Sequence, residues 1–279
     1  MTTSYRNQIG VKDTVEILAL LSIPALLAAV YFLTPTSFQL SLALDHTNPV
    51  LHTFWTNSFV HEHQPDDAHL FGNLVGYTIL VFPCWLLYKF RDQNRRFWIG
   101  FLLILLVGPV VVSSTSYLVF NESTHLQIQY DRGFSGVVGA LDGFLILSIL
   151  RTFESEQEEP VGLLSIGVYC SCLFLGLGVV TARVSVVSMG GLLLAGVFAA
   201  TRTDYVASPS KLSSWGVSNR RLSGVILFAA VASVLVFASA LPANIVNETG
   251  GWTNIVAHGA GIVFGMCVEV ASQIRDSFF

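Results

Sequence analysis

The run Gly133-Phe134-Ser135-Gly136-Val137-Val138-Gly139-Ala140-Leu141-Asp142-Gly143-Phe144 decides how this chain is read. It opens an apolar segment over 133–150 and carries a single charge, Asp142. Ser135, Gly139 and Gly143 are four apart, so on a helix they share one face. Small residues in such a stripe let a second helix backbone approach closely. A serine between two glycines at the mouth of this segment is the feature to be explained.

Working outward, similar runs recur. The chain has 279 residues, of which 53% are hydrophobic and 11% charged. A soluble domain carries about 25% charged residues, so this composition points to a multispan membrane protein. The net charge of −4 is small and dispersed, which argues against a nucleic-acid partner. Apolar runs near 14–34, 68–89, 97–120, 133–150, 162–181, 184–200, 222–241 and 253–273 predict eight spans. The pair over 162–200 is divided only by Ala182 and Arg183 and reads as a tight hairpin. The expected class is an all-α polytopic bundle over 14–273. Short cytoplasmic ends, 1–13 and 274–279, flank it.

Basic residues set the expected orientation. With a cytoplasmic N-terminus, Arg6, Lys12, Lys89, Arg91, Arg95, Arg96, Arg151, Arg202, Lys211, Arg220, Arg221 and Arg275 lie inside. Arg132 and Arg183 alone lie outside, and the loop over 35–67 holds no Lys or Arg. The sequons at Asn121 and Asn247 fall on outside loops under the same topology. Both termini are thus expected in the cytoplasm, with the protein in the cell membrane. Cys84, Cys170, Cys172 and Cys267 sit in apolar runs and read as buried thiols. His61, His63, Asp66 and Asp67 read as a solvated loop in preference to a metal site.

Polar groups within a bilayer are costly and often functional. Three clusters stand out: His69 with Asn73, four apart on one face of the second span; Ser135; and His258, with Gly261 and Gly265 on its face. In the expected topology all three spans enter from outside, and each polar group lies within about two turns of its span's start. Facing glycine stripes could draw the fourth and eighth spans together. A serine hydroxyl needs a neighbouring base to become a nucleophile, and a histidine suits that role. Acyl transfer also needs donors aimed at the oxyanion, which His69, Asn73 and the Ser135 amide could supply. Each residue alone has a plainer reading: packing for Ser135, a hydrogen-bonded core ring for His258, a polar helix entrance for His69 and Asn73.

Taken in order, His69-x3-Asn73, Gly133-x-Ser135-Gly136 and His258-x2-Gly261-x3-Gly265 resemble the rhomboid intramembrane serine proteases. The resemblance covers roughly 50–150 and 222–273. It implies a rhomboid-like core, with Ser135 as nucleophile, His258 as base, and His69 with Asn73 as oxyanion donors. Gly133, Gly136, Gly139, Gly261 and Gly265 would pack the helices at the site. It implies single-span membrane proteins as substrates and no metal or cofactor; it leaves the oligomeric state open. The family places one span between the serine and histidine helices, whereas three are counted here; both numbers are odd, so orientation is preserved. Family members often carry a further histidine a few residues upstream, and the loop holding His61 and His63 is stretched by comparison. Asp142 lies about 10 Å along the axis from Ser135, too far for a third triad member. It is expected to be protonated or bonded to a neighbouring span. Glu269 is expected to reach the cytoplasmic interface. Two rival readings are an inactive rhomboid-like binder of membrane segments, and a transporter relaying protons through Asp142, His258 and Glu269.

Overall fold

The computed structural model describes residues 10–63, 67–122, 129–156, 219–240 and 254–274. Its helices are α1 (Val11–Leu33), α2 (Thr36–Leu42), α3 (Thr53–Thr56), α4 (Ala68–Phe90), α5 (Asn94–Leu106), α6 (Gly108–Glu122), α7 (Ser135–Glu156), α8 (Arg220–Ala240) and α9 (Ile255–Ile274). The α5–α6 pair forms one span with a break at its middle. Pro109 explains the break, because it has no amide hydrogen to donate and its ring crowds the carbonyl one turn back. Counting that pair as one, six helices among the described residues are long and apolar enough to cross a membrane. They match the spans predicted near 14–34, 68–89, 97–120, 133–150, 222–241 and 253–273. The spans predicted over 162–181 and 184–200 lie outside the described residues.

Side-chain contacts give the helix directions. Tyr77 on α4 donates to the Leu20 carbonyl at 2.8 Å, and Trp85 donates to Glu16 at 2.9 Å. Rising numbers on α4 meet falling numbers on α1, so the two are antiparallel. A Cβ on Gly100 of α5 would meet Phe144, and one on Gly136 would meet Val112 of α6, so α5–α6 runs against α7. In contrast, Gly76 faces Val138 while Cys84 lies 3.9 Å from Ser148, which makes α4 and α7 parallel. Gly139 faces His258 and Gly143 faces Ile262, so α7 and α9 are parallel too. Ser233 of α8 bonds Asp142 while Val236 sits with Val138 beside Gly76, so α8 runs against α7. Among the described residues three spans run one way and three the other, in the alternation a membrane-crossing chain requires.

Burial ranks the helices. The most apolar window of α7 is 83% buried, against 22% for α1 and 33% for α8 and α9. Helix α7 is therefore the central post. Outward faces are apolar, with Leu18, Leu26 and Phe32 on α1 and Leu227, Val231 and Leu235 on α8 all exposed. Meanwhile Ser113, Ser116, Asp142, Ser148, Ser233 and Glu269 are buried. Contiguous exposed apolar surface of this extent is foreign to a soluble monomer. With six spanning helices, it identifies an integral multi-pass membrane protein.

Outside the bundle, the short strands β1 (Leu44–Asp45) and β2 (Tyr130–Asp131) pair antiparallel, Leu44 opposite Asp131. This pairing ties the loop after α2 to the segment entering α7. The loop over 57–63 is clamped beneath it: the Gly133 amide donates to the Asn57 carbonyl at 3.0 Å, and Ser113 donates to the Asn57 side chain at 3.0 Å.

Two expectations change, for Glu269 and Cys267. Glu269 does not reach the interface; it is buried and accepts the Tyr88 hydroxyl. A hydroxyl donor inside the bundle satisfies the carboxyl where it lies. Asp142 is bonded to a neighbouring span as expected, its Oδ1 accepting the Ser233 hydroxyl of α8. Cys84 is buried, but Cys267 is exposed on the outer face of α9; Cys170 and Cys172 lie outside the described residues.

Candidate functional site

Ser135 is the first residue of α7, and its side chain is partly exposed. The turn that delivers it requires Gly133, whose φ of +130° belongs to a region that side chains rarely adopt. Space demands glycine as well, since a Cβ at 133 would lie 2.7 Å from Cε1 of His69. The His69 ring therefore rests against the backbone two residues ahead of Ser135. The amides of Ser135 and Gly136 belong to the first helical turn, where no intrahelical acceptor exists.

His258 lies one turn into α9 and is buried. Its level is set by a seam of backbone contacts. A Cβ on Gly261 would fall 2.1 Å from the Gly136 carbonyl oxygen, and one on Gly265 would fall 1.8 Å from that of Ala140. From the other side, a Cβ on Gly139 would fall 2.9 Å from the His258 carbonyl oxygen. Of the glycines named from sequence, Gly139, Gly261 and Gly265 thus form one contact surface between α7 and α9, whereas Gly133 faces His69 of α4 and Gly136 faces Val112 of α6. Because the helices are parallel, Ser135 and His258 stand at the same end of that seam. Ser135 is next to Gly136 in the chain, and His258 is one turn ahead of Gly261, its partner.

The imidazole of His258 is held by α8. Its Nδ1 lies 2.6 Å from the carbonyl oxygen of Ala240, the last residue of that helix. A carbonyl only accepts, so Nδ1 carries the proton and Nε2 is left with its lone pair. Among the described residues, neither Nε2 nor the Ser135 hydroxyl has a hydrogen-bond partner. The two are not hydrogen-bonded to each other, a separation common in enzymes without bound substrate.

Asn73 and His69 lie on the adjoining face of α4. Asn73 is buried, and its Nδ2 lies 2.9 Å from Nε2 of His61. The Phe134 amide donates to the same Nε2 at 3.3 Å. An amide nitrogen cannot accept, so Nε2 of His61 is unprotonated and takes both bonds. Asn73 keeps a second N–H for another acceptor. The expectation of a solvated loop fails for His61, which is 2% exposed. Its ring stands 5.2 Å from that of His69. Burial, helped by the nearby His69 and Arg132, lowers its pKa to about 3. His61 is thus a neutral acceptor that orients Asn73 and the backbone just before Ser135.

Sequence reasoning passed over two of these groups. His61 stood too far ahead of His69 to be placed, and its loop looked merely polar. The Ala240 carbonyl leaves no mark in a sequence, because any residue supplies one. Among the described residues no group of three or more His, Cys, Asp or Glu could hold a metal ion. The chain matches no family model, no curated protein and no solved structure.

Proposed function

We propose that this chain is an intramembrane serine endopeptidase of rhomboid type, cleaving single-span membrane proteins at or near the membrane segment. The observation that carries the reading is the hydrogen bond from His258 to Ala240. It leaves the Nε2 lone pair at the same end of the glycine seam as the Ser135 hydroxyl, which no other described residue engages. In the proposed reaction Ser135 Oγ attacks the scissile carbonyl carbon as His258 Nε2 takes its proton. The tetrahedral oxyanion accepts from the Ser135 amide, from His69 and from the remaining N–H of Asn73. Collapse expels the amine, which takes the proton back from His258, and water then releases the acyl group by the reverse sequence.

The same proposal takes eight spans, a cytoplasmic N-terminus and a cell-membrane location, the topology that places Ser135 near the outer leaflet. Helix α8 then fills the place of the family's single span between the serine and histidine helices, since it packs on α4 and α7 and reaches His258. The relay reading is disfavoured by how its three groups are engaged. Asp142 is bonded to Ser233, Glu269 to Tyr88 and His258 to Ala240.

The test is cleavage of a panel of tagged single-span proteins in liposomes by wild type, Ser135→Ala and His258→Ala. Product from wild type alone supports both roles, whereas equal product from all three removes the dyad. Where no substrate is cut, attachment of a fluorophosphonate to Ser135 distinguishes an active enzyme given the wrong substrates from an inactive binder.

A further inference from the structure

Four residues ahead of Ser135 stands Asp131, and four residues ahead of His258 stands Asn254. The two side chains meet. Asn254 Nδ2 donates to Asp131 Oδ2 at 2.9 Å and to the Ser116 hydroxyl at 2.6 Å. Ser116, fully buried on α6, donates in turn to the same Asp131 oxygen at 2.7 Å. The other end of the Asn254 amide caps α9, its Oδ1 accepting the Ala257 amide at 2.9 Å.

From this arrangement we infer that Asp131, Asn254 and Ser116 form a knot that sets the register between the leading ends of α7 and α9, and so positions His258 against Ser135. The glycine seam lies below the two residues and governs how closely the helices approach. It does little to stop either leading end from twisting or sliding above the last contact. The knot lies above them and joins both leading segments to α6. Asp131 has a second anchor through β1, opposite Leu44, and the buried ring of His46 stands 4.0 Å from its Oδ2. These are positioning residues, since none is directed at a reacting atom. The inference rests on the proposed protease reading for its catalytic consequence, but the knot itself can be tested apart from it.

The decisive variant is Asn254→Asp. Aspartate caps a helix about as well as asparagine, so the cap survives. The donor to Asp131 is lost, and two carboxylates face each other. Adding Asp131→Asn reverses the polarity of the pair and restores one donor and one acceptor. Two readouts are needed in detergent or nanodiscs. One is the ring ¹⁵N spectrum of His258, assigned by difference from His258→Gln, which reports whether Nδ1 alone carries the proton. The other is the rate of fluorophosphonate attachment to Ser135. Expected are a single Nδ1–H form in wild type, a mixture of tautomers in Asn254→Asp, and at least tenfold slower attachment there. The double variant should return both to within threefold of wild type. Ser116→Ala, which removes one strand of the knot without adding charge, should fall between. A wild-type His258 spectrum in Asn254→Asp overturns the inference, as does failure of the double variant to recover it. If wild type shows the expected spectrum but no attachment at Ser135, the protease reading fails, and the spectra alone decide the knot.

Discussion

Replacing Gly265 by alanine drives one methyl group into the seam between α7 and α9. Its Cβ would sit 1.8 Å from the Ala140 carbonyl oxygen and 2.9 Å from the Phe144 amide nitrogen. A carbon resting against a carbonyl oxygen settles at about 3.3 Å, so the backbones must part locally by roughly 1.5 Å. Neither obstacle is a flexible side chain that could swing away. Overpacking of this kind costs about 1–3 kcal/mol, and the better helix propensity of alanine returns about 1 kcal/mol. The net loss of stability is therefore modest, roughly 0–2 kcal/mol. On the proposed protease reading the kinetic loss is expected to be larger, because an error of about 1 Å in placing catalytic groups can cost on the order of a hundredfold. Gly259 supplies the internal control. It neighbours His258, yet a Cβ there meets no described residue within 4 Å. The assay is the rate of Ser135 modification by a fluorophosphonate, with thermal unfolding in detergent measured alongside. Gly265→Ala and Gly261→Ala should lose about a hundredfold in rate, and Gly259→Ala should stay within twofold. Equal rates for Gly265→Ala and Gly259→Ala would refute the claim that the seam sets the Ser135–His258 geometry.

His61 makes stability depend on pH. Its folded pKa of about 3 lies below the ordinary value near 6.5, so the unfolded chain binds the proton first. The contribution is fully present above pH 6.5 and is lost as pH falls, by about 2 kcal/mol at pH 5. Unfolding of wild type and His61→Gln, followed from pH 7.5 to 4.5, should show the steeper acid loss in wild type; parallel curves would contradict this. Within the bundle, Ser233→Ala strips Asp142 of its hydroxyl donor and should cost about 1–3 kcal/mol in denaturant unfolding. Asp142→Asn keeps a polar partner for Ser233 and should cost less than half as much.

Much of this architecture was legible because a bilayer imposes length and polarity rules that a sequence displays openly. The six described spans fall within a few residues of the apolar runs, and the alternation of helix directions follows from counting them. The glycine stripes were legible for a related reason. Gly139 and Gly143, like Gly261 and Gly265, sit at helical spacing, where their lack of a side chain has a single geometric use. What escaped were groups whose importance depends on a neighbour far away in the chain. His61 looked solvated until Asn73 and Phe134 closed over it. Glu269 was expected at the surface because nothing near it in sequence announces the Tyr88 hydroxyl. The break between α5 and α6 was available in Gly108-Pro109, but a continuous apolar run masked it.

The parallel course of α4, α7 and α9 has an electrostatic consequence. Each helix begins at the rim where His69, Ser135 and His258 gather, so three backbone macrodipoles point their positive ends at one place. An isolated helix carries the equivalent of about half an elementary charge at its start, felt within the first turn. The antiparallel partners α1, α5–α6 and α8 end at that rim, and their carbonyl poles would cancel part of this field. Their nearness is uneven, however: α7 is the most enclosed helix, and α1 lies at the periphery. The field at Ser135 is accordingly weighted toward its own helix start. Negative charge arising on a bound group is therefore favoured there by the direction in which the chain crosses the bundle.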